Sequence, residues 1–288
     1  MITIMIPTMN RSDFLIPLLN YYVDTGYKHW ISIGDSSTGD HLERNKEAIA
    51  RLKGKLKINY HEYPGVCISK CIKKLTENIA TPYAVFVADD DFIVPNALER
   101  CLDFLEKHPD YAAAHGKALL FSRLSLRVGP YGQRAVEGET AAKRLLDLLG
   151  NYTVTLFSVM RAEIWQKIFK YSEVISDRAF SEELLPVCLS VVSGKIKHLD
   201  CFYLLRQHHD RRAFHLDVYD RVTSPNWFPS YQIFTNCLVE ELVRQDGITM
   251  DEAREVVKQA FWSRLSKGLV NKYQSRYGKK TFKSVIKQ

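Results

Sequence analysis

Through the first 115 residues, short apolar, β-rich runs alternate with segments whose apolar residues recur at helical spacing. Ile2–Pro7 reads as a strand, and Asp13–Tyr22 as a helix with Phe14, Leu15, Leu18, Leu19 and Tyr22 on one face and Ser12 as its N-cap. His29–Gly34 is a second strand, His41–Leu52 a helix, Leu56–Glu62 a third strand and Val66–Ile79 a helix. Tyr83–Ala88 (YAVFVA) is a fourth strand, and Pro95 opens the helix Asn96–Lys107. Strand and helix alternating at these intervals predict βαβ units, hence an α/β fold with a mostly parallel central sheet flanked by helices. Beyond residue 115 the pattern loosens: strands at Ala118–Leu126, Val154–Met160 and Ile196–Leu205, a glycine-bearing loop at Gly129–Gly138, and helices at Thr140–Leu149, Ala162–Tyr171 and Leu184–Ser193. From about 216 the periodicity is helical, interrupted by Pro225 and Pro229.

In a parallel sheet the ligand sits beyond the carboxyl ends of the strands. Here those ends carry Thr8–Asn10–Arg11, Asp35–Ser36–Ser37, Glu62–Tyr63–Pro64–Gly65 and Asp89–Asp90–Asp91, and all four should converge on one crevice. Three consecutive aspartates repel one another, and burying them is costly unless a cation offsets them. Mg²⁺ or Mn²⁺ takes carboxylate and phosphate oxygens together, so the cluster suits a metal held against a diphosphate. The competing reading is an exposed acidic turn that caps the helix after Pro95.

The opening IPTMNR, the strand-end GDSS and the run FVADDDFIVP, in this order, resemble family 2 glycosyltransferases of the GT-A fold, closest to the branch found in bacterial surface-polysaccharide loci. The resemblance spans about residues 1–210. It implies a donor-binding half over 1–115, an acceptor-binding half of the same domain over 116–215, and a helical basic extension over 216–288. It further implies transfer of a sugar, with inversion, from a nucleoside-diphosphate donor (uridine being the commonest base among such proteins) to a glycan or lipid-linked acceptor. Carried over position by position, Thr8, Asn10 and Arg11 touch the nucleotide, Asp35 with Ser36 binds base or ribose, and Lys70 faces the donor where arginine is more usual. Asp89 and Asp90 contact the donor; as metal ligands Asp91 and Asp89 are favoured with Asp90 close behind, and His208 and His209 are placed to complete the site. Counted back from Pro95, the first acid of the usual D-x-D-D spacing is Ala88. Glu182 and Glu183 match the acidic pair at the start of a helix that supplies the catalytic base, Glu183 first, although aspartate is usual there. Arg211 or Arg212 is placed to clamp phosphate through a bidentate fork.

Composition supports a folded, water-soluble chain: 288 residues, 46% hydrophobic and 25% charged. No apolar run reaches the roughly 18 residues of a membrane span, and MITIMIPTMN does not read as a signal peptide, which points to the cytoplasm. The six cysteines show no C-x-x-C pair and fit free thiols. Residues 251–288 hold ten Lys or Arg against three acids, which accounts for the whole net charge of +7. Such a tail suits contact with an anionic membrane face or an acidic polymer. No nucleic-acid reading module accompanies it, so no nucleic-acid partner is expected. Two rivals remain: a non-catalytic protein that binds nucleotide sugars or acidic glycans, and a metal-dependent nucleotidyltransferase. The latter usually opens with a glycine-rich loop, which PTMNRSD lacks.

Overall fold

The computed structural model describes residues 1–210 and 221–277. Its strands are β1 (Ile2–Thr8), β2 (Trp30–Asp35), β3 (Lys57–Glu62), β4 (Tyr83–Phe86), β5 (Phe92–Ile93), β6 (Tyr111–Ser122), β7 (Arg127–Tyr131), β8 (Val159–Arg161) and β9 (Lys195–His208). The helices are α1 (Ser12–Asp24), α2 (Gly39–Arg51), α3 (Ile68–Glu77), α4 (Pro95–Lys107), α5 (Ala141–Gly150), α6 (Ala162–Ile168), α7 (Leu185–Ser193), α8 (Trp227–Asp246) and α9 (Met250–Tyr277). A single π-helical turn, Phe180–Leu184, leads into α7.

All nine strands join one sheet in the order β3-β2-β1-β4-β8-β6-β9-β5, with β7 hairpinned onto β6. The first four are parallel, as the βαβ pattern requires, while β8, β5 and β7 run antiparallel to their neighbours and make the sheet as a whole mixed. Every residue of β1 is buried, so this central strand lacks the buried-exposed alternation of a half-solvated one. Packing of α3 on β1 and β2 covers part of the sheet, and α4 covers β6 and β9. Gly34 permits the close approach of α3 to β2, because a Cβ there would meet Cys71 Sγ at 2.5 Å.

Three details depart from the sequence reading. Ser12 does not cap α1; its Oγ is buried and pairs with His41 Nδ1 at 2.8 Å, tying α1 to α2. Residues 127–131, expected within or beside a loop, form the outer strand of a hairpin; its Pro130 is tolerated because that strand is an edge. The strand expected over 154–160 shrinks to Val159–Arg161, and β6 begins at Tyr111, so it runs through residue 115 and carries one sheet across both halves of the chain. In α9, Ala253, Val257, Ala260, Phe261 and Leu265 are buried against α5 and α8, so much of the tail's apolar content is core. Among the described residues no helix is long and apolar enough to cross a membrane.

Candidate active site

The parallel register aligns the strand ends. Thr8 lies opposite Asp35, and Asp35 opposite Glu62, so the loops after β1, β2 and β3 leave the sheet at one edge together. The short β5 then pairs antiparallel with β9 at Leu204 and Leu205, which lays residues 206–209 over Asp89–Asp91. A cleft of about 510 Å³ opens at this edge. Thr8, Arg11, Ser36, Gly65, Asp89 and Arg178 bring polar groups to its walls, and Met9, Val66, Ile68 and Phe86 bring apolar ones.

The three aspartates are buried and take different partners. Asp89 accepts from Thr8 Oγ1 at 2.7 Å and pairs with Arg11 Nη1 at 3.2 Å. Burial of its carboxyl still outweighs Arg11 and pushes its pKa up to about 7. Asp90 accepts from Arg11 Nη2 and lies 2.7 Å from His209 Nε2; burial works against its charge, but these two neighbours hold its pKa below the usual carboxylate range. Asp91 has both oxygens taken: Oδ2 by Arg206 Nε at 2.9 Å and Oδ1 by the Gln207 backbone N–H at 3.0 Å. Burial nevertheless raises Asp91 to about 6. The Arg206 guanidinium is in turn sandwiched against Phe157 and Tyr131, 4.4 and 4.8 Å from the ring centroids, and donates to Tyr131 Oη. The cluster is therefore neither exposed nor a helix cap, since α4 has Val94 at its N-cap with no side-chain bond.

This geometry revises the expected metal set. Asp91 is fully buried and spent on Arg206 and Gln207, so its role is to hold β9 against the acidic loop. His209, not His208, meets the aspartates: it pairs with Asp90, contacts Arg11 at 3.2 Å and stacks on Phe14. His208 is the last residue of β9, and His209 lies just beyond it, where the chain leaves the sheet over the aspartates. Among the described residues no group of three His, Cys, Asp or Glu side chains forms a ready cation cage. Asp90 with His209, and Asp89 beside them, are the members of the cluster not tied to β9, so they could hold a divalent cation only if it took further oxygen ligands from a bound group such as a diphosphate, the usual habit of Mg²⁺. They do not fit one held wholly by protein.

The other expected donor residues separate into two groups. Thr8, Arg11, Ser36 and Asp89 line the cleft, where the buried Ser36 hydroxyl sits beside the Cys71 thiol. Asp35 and Asn10 stand behind it. Asp35 is fully buried, with its oxygens taken by the Ser37 N–H, Asn45 Nδ2 and Tyr60 Oη at 2.7–2.8 Å, so it shapes the loop and does not present a free carboxylate. Asn10, in the left-handed region at φ 53°, accepts from the Thr38 N–H and donates its own N–H to Ser37 Oγ, which joins the first two strand-end loops. Lys70 is exposed on α3 and lines no part of the cleft; Cys67, Ile68 and Cys71 of the same segment do. Arg211 lies outside the described residues, as does Arg212.

The acidic pair sits on the π-helical turn. Glu182 is bridged by Arg178 Nε and Nη2 at 2.8 and 3.1 Å, and Arg178 itself lines the donor cleft. Glu183 accepts from Tyr152 Oη at 2.7 Å, and its charge is felt at Tyr131, the partner of Arg206. The acidic pair and the aspartate cluster thus flank one region. Arg178, Tyr152 and Tyr131 escaped the sequence reading; only Arg178 left a local signal, an i,i+4 spacing to Glu182.

No protein-family profile matches the chain, and no curated protein matches it either. Solved structures do share its fold. S. aureus TarS residues 1–349 in complex with UDP-GlcNAc superimposes with a TM-score of 0.65 at 14% identity, over 96% of this chain and 76% of that one. The same TarS fragment in complex with UDP gives 0.59 at 15% identity, over 95% and 72%.

Proposed function

We propose that the chain is a glycosyltransferase that takes a sugar from a uridine-diphosphate donor and passes it, with inversion, to a hydroxyl of a glycan or lipid-linked acceptor. The observation that carries the reading is the cleft at the carboxyl ends of the parallel strands, lined by Thr8, Arg11 and the buried Asp89. A fold shared with a protein solved with UDP-GlcNAc supports the choice of donor.

In this reading the diphosphate enters between Arg11 and Ser36. Arg11 is oriented by Asp89 and Asp90, so its guanidinium is fixed before the substrate arrives. Ser36 Oγ, beside the Cys71 thiol, supplies a hydroxyl at the wall of the cleft. Asp90 and His209, with Asp89, would hold Mn²⁺ or Mg²⁺. When bound, such a cation offsets the charge that develops on the leaving diphosphate. Glu183 removes the proton from the acceptor hydroxyl as it attacks the anomeric carbon from the face opposite the leaving group. Tyr152 fixes the Glu183 carboxylate, and Glu182 holds Arg178 at the mouth of the donor cleft. A role in surface-polysaccharide synthesis and a site at the inner membrane face, with α9 toward the lipid, extend the same proposal.

Calorimetric titration with a panel of nucleoside diphosphates, with and without Mn²⁺, tests the reading on the wild type and on Asp90→Asn. One nucleotide should bind with metal dependence and weaken at least tenfold in the variant. If no nucleotide binds under either condition, the transferase reading fails.

A further inference from the structure

A second cavity, of about 380 Å³, lies beside Glu183, between the end of α5 and the inner side of α9. Tyr152 and Leu184 line it, and Tyr152 Oη donates to Glu183. The cavity and the candidate base therefore share a wall.

Its charge is one-sided. Arg221, Arg264 and Lys267 line it, Asn151 and Asn271 add amide donors, and no carboxylate lines it among the described residues. Arg264 is fixed by stacking: its guanidinium carbon stands 3.3 Å from the Tyr152 ring centroid. Stacking leaves the N–H fork of an arginine available for bidentate bonds. Arg221 Nε is buried without a hydrogen-bond acceptor and forms a long ion pair with Asp177 Oδ2 at 3.7 Å. Lys267 spends one donor on the Gly150 carbonyl, and an ammonium has three. Convergent cations with unspent donors are the chemistry of an oxyanion site. A phosphate, with three charged oxygens, satisfies more of these donors than a carboxylate with two.

We infer that this cavity binds a phosphate group carried on the acceptor sugar and so presents a neighbouring hydroxyl to Glu183. The inference deepens the transferase reading, since it takes Glu183 to mark the acceptor side. It assigns part of the basic C-terminal segment to substrate recognition.

Titration of the full chain with glucose 6-phosphate, glucuronate and glucose, followed by heat release, tests it. Each protein is titrated with UDP alongside. The variants are Arg264→Gln, Arg264→Lys, which keeps a charge without the fork, and the exposed Lys267→Gln. Wild type should bind glucose 6-phosphate and not glucose. Arg264→Gln should lose roughly tenfold or more in affinity, as expected for a charge-assisted hydrogen bond, and the two milder variants less. UDP affinity should stay unchanged in all of them. The inference is overturned if glucose 6-phosphate does not bind, if it binds the variants as tightly as the wild type, or if glucuronate binds equally well. Failure of UDP to bind, with glucose 6-phosphate still lost on substitution, supports this cavity and counts against the donor reading alone.

Discussion

Replacing Arg206 with methionine should destabilise the protein by removing the side-chain cation that pairs with the fully buried Asp91 carboxylate. In the wild type Arg206 Nε meets Asp91 Oδ2 at 2.9 Å, and Asp91 has no solvent exposure. Breaking a buried pair by deleting one partner costs about 3–5 kcal/mol, because the surviving charge has neither water nor counter-charge. Asp91 keeps the Gln207 N–H, and methionine preserves contact with Phe157, so the lower end of that range, about 3 kcal/mol, applies. In a chain of this size that corresponds to a fall in melting temperature of roughly 5 °C. Urea unfolding of wild type, Arg206→Met, Asp91→Asn and the double variant separates pair from single-site effects. The double variant should be less destabilised than the sum of the singles by at least about 1 kcal/mol. The loss also has a pH signature. Burial already raises Asp91 to about 6, and without Arg206 it rises further. An acid whose folded pKa lies above its unfolded value binds more protons when folded, so the deficit in Arg206→Met should be greatest near pH 8 and shrink toward pH 5. Additive single effects, or a loss independent of pH, would refute the idea that Asp91 is an ionised structural anchor for β9.

Other outcomes follow from the same structure. His115 is fully buried beside Ser158 Oγ, and burial lowers its pKa from 6.5 to about 3. The unfolded chain binds its proton first as pH falls below 6.5, so stability should drop by about 1.4 kcal/mol per unit below that, and urea midpoints for His115→Leu should lose this slope. Gly34→Ala should cost about 1–3 kcal/mol through the clash with Cys71 Sγ, and adding Cys71→Ala should recover much of it in thermal melts. Glu183→Gln should lower the transfer rate by about a hundredfold or more while UDP affinity in calorimetry stays level. Tyr152→Phe should give a smaller loss in the same assay, since it frees the carboxylate without removing it.

What could be read from the chain and what could not divide along a physical line. The βαβ half was legible because each strand and helix has its own period and its own apolar face, and a parallel register then forces the strand ends to one edge. Thr8, Arg11, Ser36 and Asp89 were found that way, and all line the cleft. Lys70 rested instead on the family resemblance, and it does not line the cleft; the segment it belongs to faces the cleft through residues 67, 68 and 71. Residue type alone left a cation site and an exposed acidic turn both open for the three aspartates, and said nothing of which one would face a ligand.

That division of labour was settled by β5 pairing with β9, a contact between segments more than a hundred residues apart, which gave Asp91 to Arg206 and Asp90 to His209. The same holds for Tyr152 against Arg264 and for the cavity they enclose. Local sequence determines which segments become strands or helices and which end of the sheet is polar, since those depend on short-range periodicity and backbone sterics. Which carboxylate is spent on structure and which remains for a ligand depends on the partners that long-range packing delivers, and only the tertiary fold supplies those.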